Sequence, residues 1–269
     1  MRPAAAGLPT GYRLLHFSTL DSTMAEAERQ ALAEAPSGTL ILADRQTAGR
    51  GRRGREWQTP AGNLALSALL RPSLPLSQAA LLGFAAGLAL HEAVSGVFPQ
   101  PDRLTLKWPN DLLLDGAKLA GILLESHATP KGALQWLVIG LGVNLTWAPT
   151  DTPYAATALS AVTVAPLAPS QVATAWASAF DAWSRRFEEE GFGPLRRAWK
   201  TRAAGLGAPL QARLADGQVL DGVFQDLDSD GSLLLKQDSL ESPLKISAGD
   251  VFFPAAGKLG EGGHHAAGH

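Results

Sequence analysis

The sequence predicts an α+β protein with a small all-β module at its C-terminal end. Three observations carry this. Apolar runs of strand length alternate with stretches of helical spacing up to about residue 204. After Gly205 the pattern changes to short apolar runs punctuated by Asp-Gly pairs. The 269 residues are enough for one large domain and one small one.

Residues 1–10 read as a loose arm, and Leu14 to Leu20 as a short strand. Met24 to Leu32 has helical periodicity. Asp21-Ser22-Thr23 precedes it, and Thr23 with Glu26 fits a capping box. Thr39 to Ala43 is an apolar strand. Residues 44–63, rich in Arg and Gly, form a loop, and Leu64 to Leu70 resumes a strand. Leu81, Phe84, Leu88, Val94 and Val97 place one long core helix over 77–98. Leu104 to Trp108 is a strand ended by Pro109. Leu112 to Leu114, Asp115-Gly116 and Ala117 to Glu125 form a hairpin, because Asp-Gly accepts the positive φ of a tight turn. Leu134 to Leu145 is a glycine-interrupted strand. Val172, Trp176, Ala179, Trp183 and Phe187 make a helical stripe.

From 206 to 253 the Asp-Gly pairs at 216, 221 and 230 and Gly249-Asp250 read as turns of a small barrel or sandwich. This stretch has eight Asp/Glu against three Lys/Arg. The expected boundaries are 1–204 for the large domain, 205–253 for the small module and 254–269 for a disordered Gly/Ala/His-rich tail.

Composition narrows the function. The chain is 46% hydrophobic and 18% charged, which suits a globular core. A net charge of −2 argues against a chain-wide binder of DNA or anionic membranes. With no cysteine, disulfides, thiolate metal sites and cysteine nucleophiles are excluded. No run reaches the roughly 18 apolar residues of a membrane span, and no signal-peptide core is present, so a cytoplasmic location is expected. His16, His91 and His127 lack metal-ligand spacing.

Four motifs carry chemistry. Gly49-Arg50-Gly51-Arg52-Arg53-Gly54-Arg55, closed by Trp57, alternates glycines that admit close anion approach with forked, permanently charged donors. Its self-repulsion predicts a loop that is mobile when empty and ordered by an anionic ligand; a solvated basic loop has the same composition. Lys107-Trp108-Pro109-Asn110-Asp111 puts polar side chains at a strand end. Lys118, in Lys118-Leu119-Ala120-Gly121, reads in isolation first as a solvent-facing lysine, and otherwise as an ammonium aimed at a carboxylate or phosphate in a cleft. Gly140-Leu141-Gly142-Val143-Asn144 marks a bulge or the wall of a flat ligand's site. At Asp21-Ser22-Thr23, helix-terminal hydroxyls and N–H groups suit a polar ring or an anion as well as a cap.

Taken in order from about residue 14 to 253, these motifs resemble those of the biotin–protein ligases. The resemblance implies a central mixed β-sheet with helices, a class II synthetase-like catalytic domain, followed by an SH3-like barrel. It implies activation of biotin with ATP and Mg²⁺ as an acyl-adenylate, then transfer to a lysine of a biotin carboxyl carrier protein. It implies that Ser22, Thr23 and Gln46 hold the ureido ring and that Arg50, Gly51 and Arg52 fold over biotin and the adenylate. Gly121, Gly140 and Gly142 would wall the biotin site, and Lys118 would contact the biotin carboxylate and the reacting phosphate. Arg55, Trp57, Asn110, Asp111 and Asn144 would lie on the ATP side, with Mg²⁺ near Asp111. Lys118, Arg52 and Arg55 would be the catalytic residues. About a dozen residues precede the first strand, so the resemblance is to the monofunctional form without a DNA-binding domain; homodimers occur in the family. Met24 departs from the asparagine usual after Ser-Thr. Two other readings stand beside this one: a lipoate or octanoate ligase or transferase of the same fold, whose Arg-Arg-x-x-Gly-Gly pattern is missing here, and an RNA- or peptide-binding protein using the Arg/Gly loop.

Overall fold

A computed structural model describes residues 7–163 and 167–253. The first six residues of the expected arm and the tail from 254 lie outside the described residues. The chain divides into two compact units, at Ala204 and Gly205.

The first unit is built on a seven-stranded sheet. In chain order its strands are β1 (Arg13–Phe17), β2 (Thr39–Ala43), β3 (Leu64–Leu70), β4 (Leu104–Lys107), β5 (Asp111–Leu114), β6 (Ala117–Ala128) and β7 (Leu134–Val143). Across the sheet the order is β1-β2-β3-β7-β6-β5-β4. β1 and β2 are parallel and the other pairs antiparallel, so the sheet is mixed. The helices are α1 (Thr23–Leu32), α2 (Leu76–Ala79), α3 (Leu82–Ser95), α4 (Pro169–Glu190) and α5 (Phe192–Lys200).

Strand alternation gives the two faces different tasks. Ile122 and Leu124 of β6 approach Gly87 and Gly83 of α3. Their cross-strand partners Leu141 and Ile139 share that face. On the other face Ile41, Leu69, Val138 and Trp136 pack with Met24, Ala27 and Ala31 of α1. Beyond this cluster the same face continues as Gly140 and Gly142 on β7 and Gly121 on β6. α1 covers one end of this face, and a glycine floor continues from it.

Several expectations need correction. Helix α1 is capped by Ser22, whose hydroxyl accepts from Met24 N–H; Thr23 is the first helical residue, and Glu26 turns to Arg29 and Gln30. β1 ends at Phe17, and the pairing returns as a single bridge between Leu20 and Gln46. The helix expected over 77–98 is two helices. At the joint Leu81, Gly83 and Phe84 donate to carbonyls only three residues back, a tightened 3-10 turn. α5 was not foreseen: Gly191 (φ 74) breaks the chain after α4, and Gly193 and Pro194 hide a periodicity carried by Leu195 and Trp199. Asp115 (φ 51) and Gly116 (φ 78) make the expected tight turn.

The second unit is an SH3-like module of five antiparallel strands, β8 (Pro209–Arg213), β9 (Val219–Leu227), β10 (Leu233–Lys236), β11 (Leu244–Ile246) and β12 (Asp250–Phe252). They are ordered β11-β10-β9-β8-β12. Gly217 and Gly231 have the positive φ expected of turns. Asp221-Gly222 instead lies inside β9, where the missing side chain lets Lys236 O and Leu235 come close.

Candidate active site

The N-terminus of α1 carries a buried chain of hydrogen bonds. Ser67 Oγ, on β3, donates to Thr23 Oγ1 at 2.8 Å. Thr23 gives its hydroxyl and its backbone N–H to Gln46 Oε1 at 3.2 and 2.7 Å, and Gln46 Nε2 donates to Thr59 Oγ1 at 3.0 Å. Ser22, Thr23, Ser67 and Thr59 are all buried. Both ends of the Gln46 amide are thereby oriented. Just outside, Arg29 grips Asp21 with two N–H groups and holds its carboxyl at about 2.

The Arg/Gly loop closes on itself. Gly51 N–H donates to Arg55 O at 2.7 Å and Trp57 N–H to Gly49 O at 2.9 Å, around a 3-10 turn at Arg52–Gly54. A β-carbon at Gly49 would crowd Trp57 O and lie 2.8 Å from Gln46 Nε2, so the loop runs against the hydroxyl–amide chain. Arg50 reaches Glu125 at 3.2 Å, and Arg52 donates to Asn110 Oδ1 at 3.1 Å. Asn110 in turn donates to Ile122 O.

Lys118 owes its direction to a β-bulge. Asp111 pairs with Gly121 and Leu112 with Ala120, but Leu113 pairs with Lys118, leaving Leu119 extra. Without the slip Lys118 would face the opposite side from Gly121; the bulge turns it onto the glycine face. Its side chain is 16% exposed, and its ammonium lies 2.7 Å from Asp111 Oδ1, which is 15% exposed. That contact is ionic rather than directional, because Asp111 Oδ1 receives no hydrogen bond of good geometry. Of the two readings open for Lys118, the cleft-facing one holds.

Trp57 lies over the glycine floor. A β-carbon at Gly142 would fall on its indole, 2.6 Å from Cζ2, and one at Gly121 would be 3.4 Å from Cζ3 and 3.3 Å from Lys118 Nζ. A β-carbon at Gly140 would fall on Met24 Sδ. Met24 is 3% exposed, so the departure from asparagine is a core side chain closing the α1 end of the floor.

Thr23, Gln46, Trp57, Asp111, Lys118 and Asn144 therefore lie along one sheet face, with Arg50 and Arg52 reaching it from the loop, while Arg55 is exposed on that loop. The sequence missed Ser67, Thr59, Glu125 and Tyr154. Tyr154 and Trp57 flank Lys118, with ring centres 5.2 and 5.6 Å from its ammonium. The segment 155–157 is joined to Lys118 by an isolated bridge: Lys118 N–H donates to Ala155 O and Thr157 N–H to Lys118 O. Asn144, expected on the ATP side, donates to Thr157 O and lines a cavity of about 160 Å³ with Glu56, Trp57, Gln58, Lys118 and Tyr154. The one available signal was that Tyr154 is one of only two tyrosines in the chain.

In chemical terms the face has a polar end that can match a ring carrying both donors and acceptors. It has a flat floor, and at the far end ammonium and guanidinium groups suit a carboxylate and phosphates.

Comparison with known proteins adds the following. Residues 16–144 match the model of the biotin/lipoate A/B protein ligase family, and residues 205–253 that of the biotin protein ligase C terminal domain. The chain is 42% identical over 239 residues to the biotin–[acetyl-CoA-carboxylase] ligase of Paracoccus denitrificans, covering 87% of this chain and 97% of that one. It is 34% identical over 257 residues to the ligase of the same name from Mycobacterium tuberculosis, covering 93% of each. Among solved structures it is similar to the biotin protein ligase from Aquifex aeolicus in complex with biotin and ATP. The TM-score is 0.76 at 26% identity, covering 89% of this chain and 97% of that one. Among the described residues no helix is long and apolar enough to cross a membrane.

Proposed function

The chain belongs to the biotin/lipoate A/B protein ligase family as a biotin–protein ligase, and from that premise we propose how its own residues divide the work. The enzyme joins biotin to ATP as biotinyl-5′-AMP and transfers the biotinyl group to protein. In the first step a biotin carboxylate oxygen attacks the α-phosphorus and pyrophosphate leaves. In the second an acceptor lysine amine attacks the acyl carbon and AMP leaves. The same-fold lipoate reading and the RNA-binding reading are not favoured.

One observation carries the division of labour: the oriented Gln46–Thr23–Ser67 chain and the Lys118–Asp111 pair lie at two ends of one glycine floor. Thr23, Gln46 and the Ser22 cap meet the ureido group. Gly140, Gly142 and Gly121 form the floor on which the ring and acyl chain lie. Lys118 receives the carboxylate and the α-phosphate, with Arg50, Gly51 and Arg52 closing above. Two anions must be brought together, and fixed cations in a site withdrawn from water offset their repulsion. Arg55, Trp57, Asn110 and Asn144 face the nucleotide, and Tyr154 adds a ring to that side. The closed loop then shields the mixed anhydride from water.

Mg²⁺ would accompany ATP. A Mg²⁺ held mainly by phosphates and water needs only one or two carboxylates. Asp111 fits, because its Oδ1 receives no directional hydrogen bond. Bound there, the ion would supply charge neutralisation on the phosphates, and Asp111 would exchange Lys118 for it.

We assign the acceptor as the biotin carboxyl carrier domain of acetyl-CoA carboxylase, the reaction to the cytoplasm, and the sheet edge at β1 as the surface through which two copies would pair, since the edge at β4 is bridged by Ala203. Residues 1–204 would form the catalytic domain and 205–253 an accessory module. The deciding experiment is pyrophosphate release from ATP with biotin, with lipoate and with neither. Biotin-dependent release supports the reading, and release with lipoate alone overturns the substrate.

A further inference from the structure

Asn63 immediately precedes β3 in a fully buried position, and its side chain makes four hydrogen bonds to residues more than 80 positions away. Its Oδ1 accepts from Thr146 N–H at 3.0 Å, Trp147 N–H at 3.1 Å and Thr146 Oγ1 at 3.2 Å; its Nδ2 donates to Trp147 O at 2.8 Å. The preceding glycine allows this approach. Gly62 has φ +94, and a β-carbon there would lie 2.7 Å from Thr146 Oγ1.

The tethered residues open a loop that forms part of the nucleotide side. Residues 148–154 follow Trp147, and Asp151, Thr152 and Tyr154 line the cavity that also holds Trp57, Lys118 and Asn144. The loop's far end is fixed by the Lys118 pairing at 155–157 and by Asn144. Its near end hangs on Asn63, with Ser160 Oγ adding a bond to Thr146 O. Asn63 itself follows the Arg/Gly loop: Gln46 binds Thr59, and Asn63 N–H closes the next turn onto Pro60 O. One buried amide thus joins the segment behind the Arg/Gly loop to the wall carrying Tyr154.

We propose that Asn63 is a positioning residue for ATP: it touches no substrate, but it sets the 148–154 wall that the nucleotide packs against. This rests on the reading of the cavity as the nucleotide side. A side chain that only orders a binding wall changes affinity for what binds there, with little effect on the other substrate.

The test is pyrophosphate release by the full chain, titrating ATP at saturating biotin and biotin at saturating ATP, in wild type, Asn63→Ala and Asn63→Asp. Asn63→Ala should raise KM for ATP about tenfold, the scale of one or two lost hydrogen bonds, while KM for biotin moves less than about twofold. Asn63→Asp keeps the acceptor but sets a buried carboxylate oxygen against Trp147 O, so its KM for ATP should rise at least as far. If neither folds, Thr146→Val, which removes the exposed-side hydroxyl that donates to Asn63 Oδ1, decides by the same split between the two KM values. Equal shifts for both substrates, or none for ATP, would overturn the proposal. Wild-type enzyme that releases no pyrophosphate with biotin would instead refute the functional reading. A second arm does not depend on turnover: hydrogen exchange over 146–156 should quicken in Asn63→Ala, and unchanged exchange there counts against the tether.

Discussion

The ammonium of Lys118 stands 2.7 Å from Asp111 Oδ1, with both side chains mostly withdrawn from solvent. The pair sets the charge at the reacting end of the cleft. Removing one member of such a pair strands the other, so alanine would mix loss of chemistry with loss of stability. Lys118→Gln keeps a donor for Asp111 and removes the charge. Biotin-dependent pyrophosphate release should fall about 100- to 1,000-fold, as expected for a lost electrostatic stabiliser, with the protein still folded. Activity within a few-fold of wild type, in a folded variant, would remove Lys118 from the mechanism.

Trp57 and Gly142 form one steric unit, since a methyl at 142 would overlap the indole. Gly142→Ala must push Trp57 out of its place over the floor, and adenylate formation should drop by about tenfold or more. The combined Gly142→Ala, Trp57→Ala variant should be no worse than the poorer single variant, because both act through the same ring. Simple additivity of the two effects in a double-mutant cycle would separate them.

Thr23 links Ser67 to Gln46. Thr23→Val keeps the shape and the backbone N–H but leaves the Ser67 hydroxyl without its acceptor. A buried group so stranded costs about 1–3 kcal/mol, equivalent to roughly ten- to a hundredfold in affinity. KM for biotin should rise on that scale and KM for ATP should stay near its wild-type value. A matched rise in both would show that Thr23 supports the whole unit rather than the ureido end.

What could be read in the sequence was what lay contiguous in it. The arginines and glycines of 49–55 and the residues of the Lys107–Asp111 run are each contiguous in the chain, and the structure joins the two runs through the Arg52–Asn110 hydrogen bond. The direction of Lys118 was not legible, because it depends on a one-residue slip between β5 and β6 that no local pattern encodes. Asp221-Gly222 has the same letters as the turn at Asp115-Gly116, yet lies within β9, since what surrounds the glycine decides its use. Ser67 and Asn63 matter through partners 44 and more than 80 residues distant, and Tyr154 through a ring contact, so local spacing could not expose them.

His91 gives the fold a pH dependence. Burial in α3 holds its imidazole below the usual value of 6.5, and the charge of Arg202 adds to this. Above 6.5 the ring is neutral whether folded or not, so stability is flat there. Below 6.5 the unfolded chain takes up the proton more readily, and stability is lost as pH falls toward the lowered folded value. Urea midpoints at pH 7.5 and 5.5 should therefore differ more in wild type than in His91→Gln. Equal differences would assign the pH dependence to other groups.

Met24 is the residue by which this chain departs from the asparagine usual in its family, and the packing explains why reversion should be harmful. Its thioether fills the volume above Gly140, among Ala27, Ala31, Ile41, Leu69, Trp136 and Val138. Apart from the Trp136 indole N–H, these neighbours offer no side-chain partner to an amide. Met24→Asn would lose apolar contact and bury polar groups, at a cost of about 2–4 kcal/mol. The expected result is a clear drop in the urea midpoint, reversed by Met24→Leu, which keeps volume and apolarity. An asparagine variant as stable as wild type would mean that the amide finds a polar partner at the end of the floor. Position 24 would then belong with Thr23 and Gln46 in binding the ureido ring, and biotin KM would be the next quantity to compare.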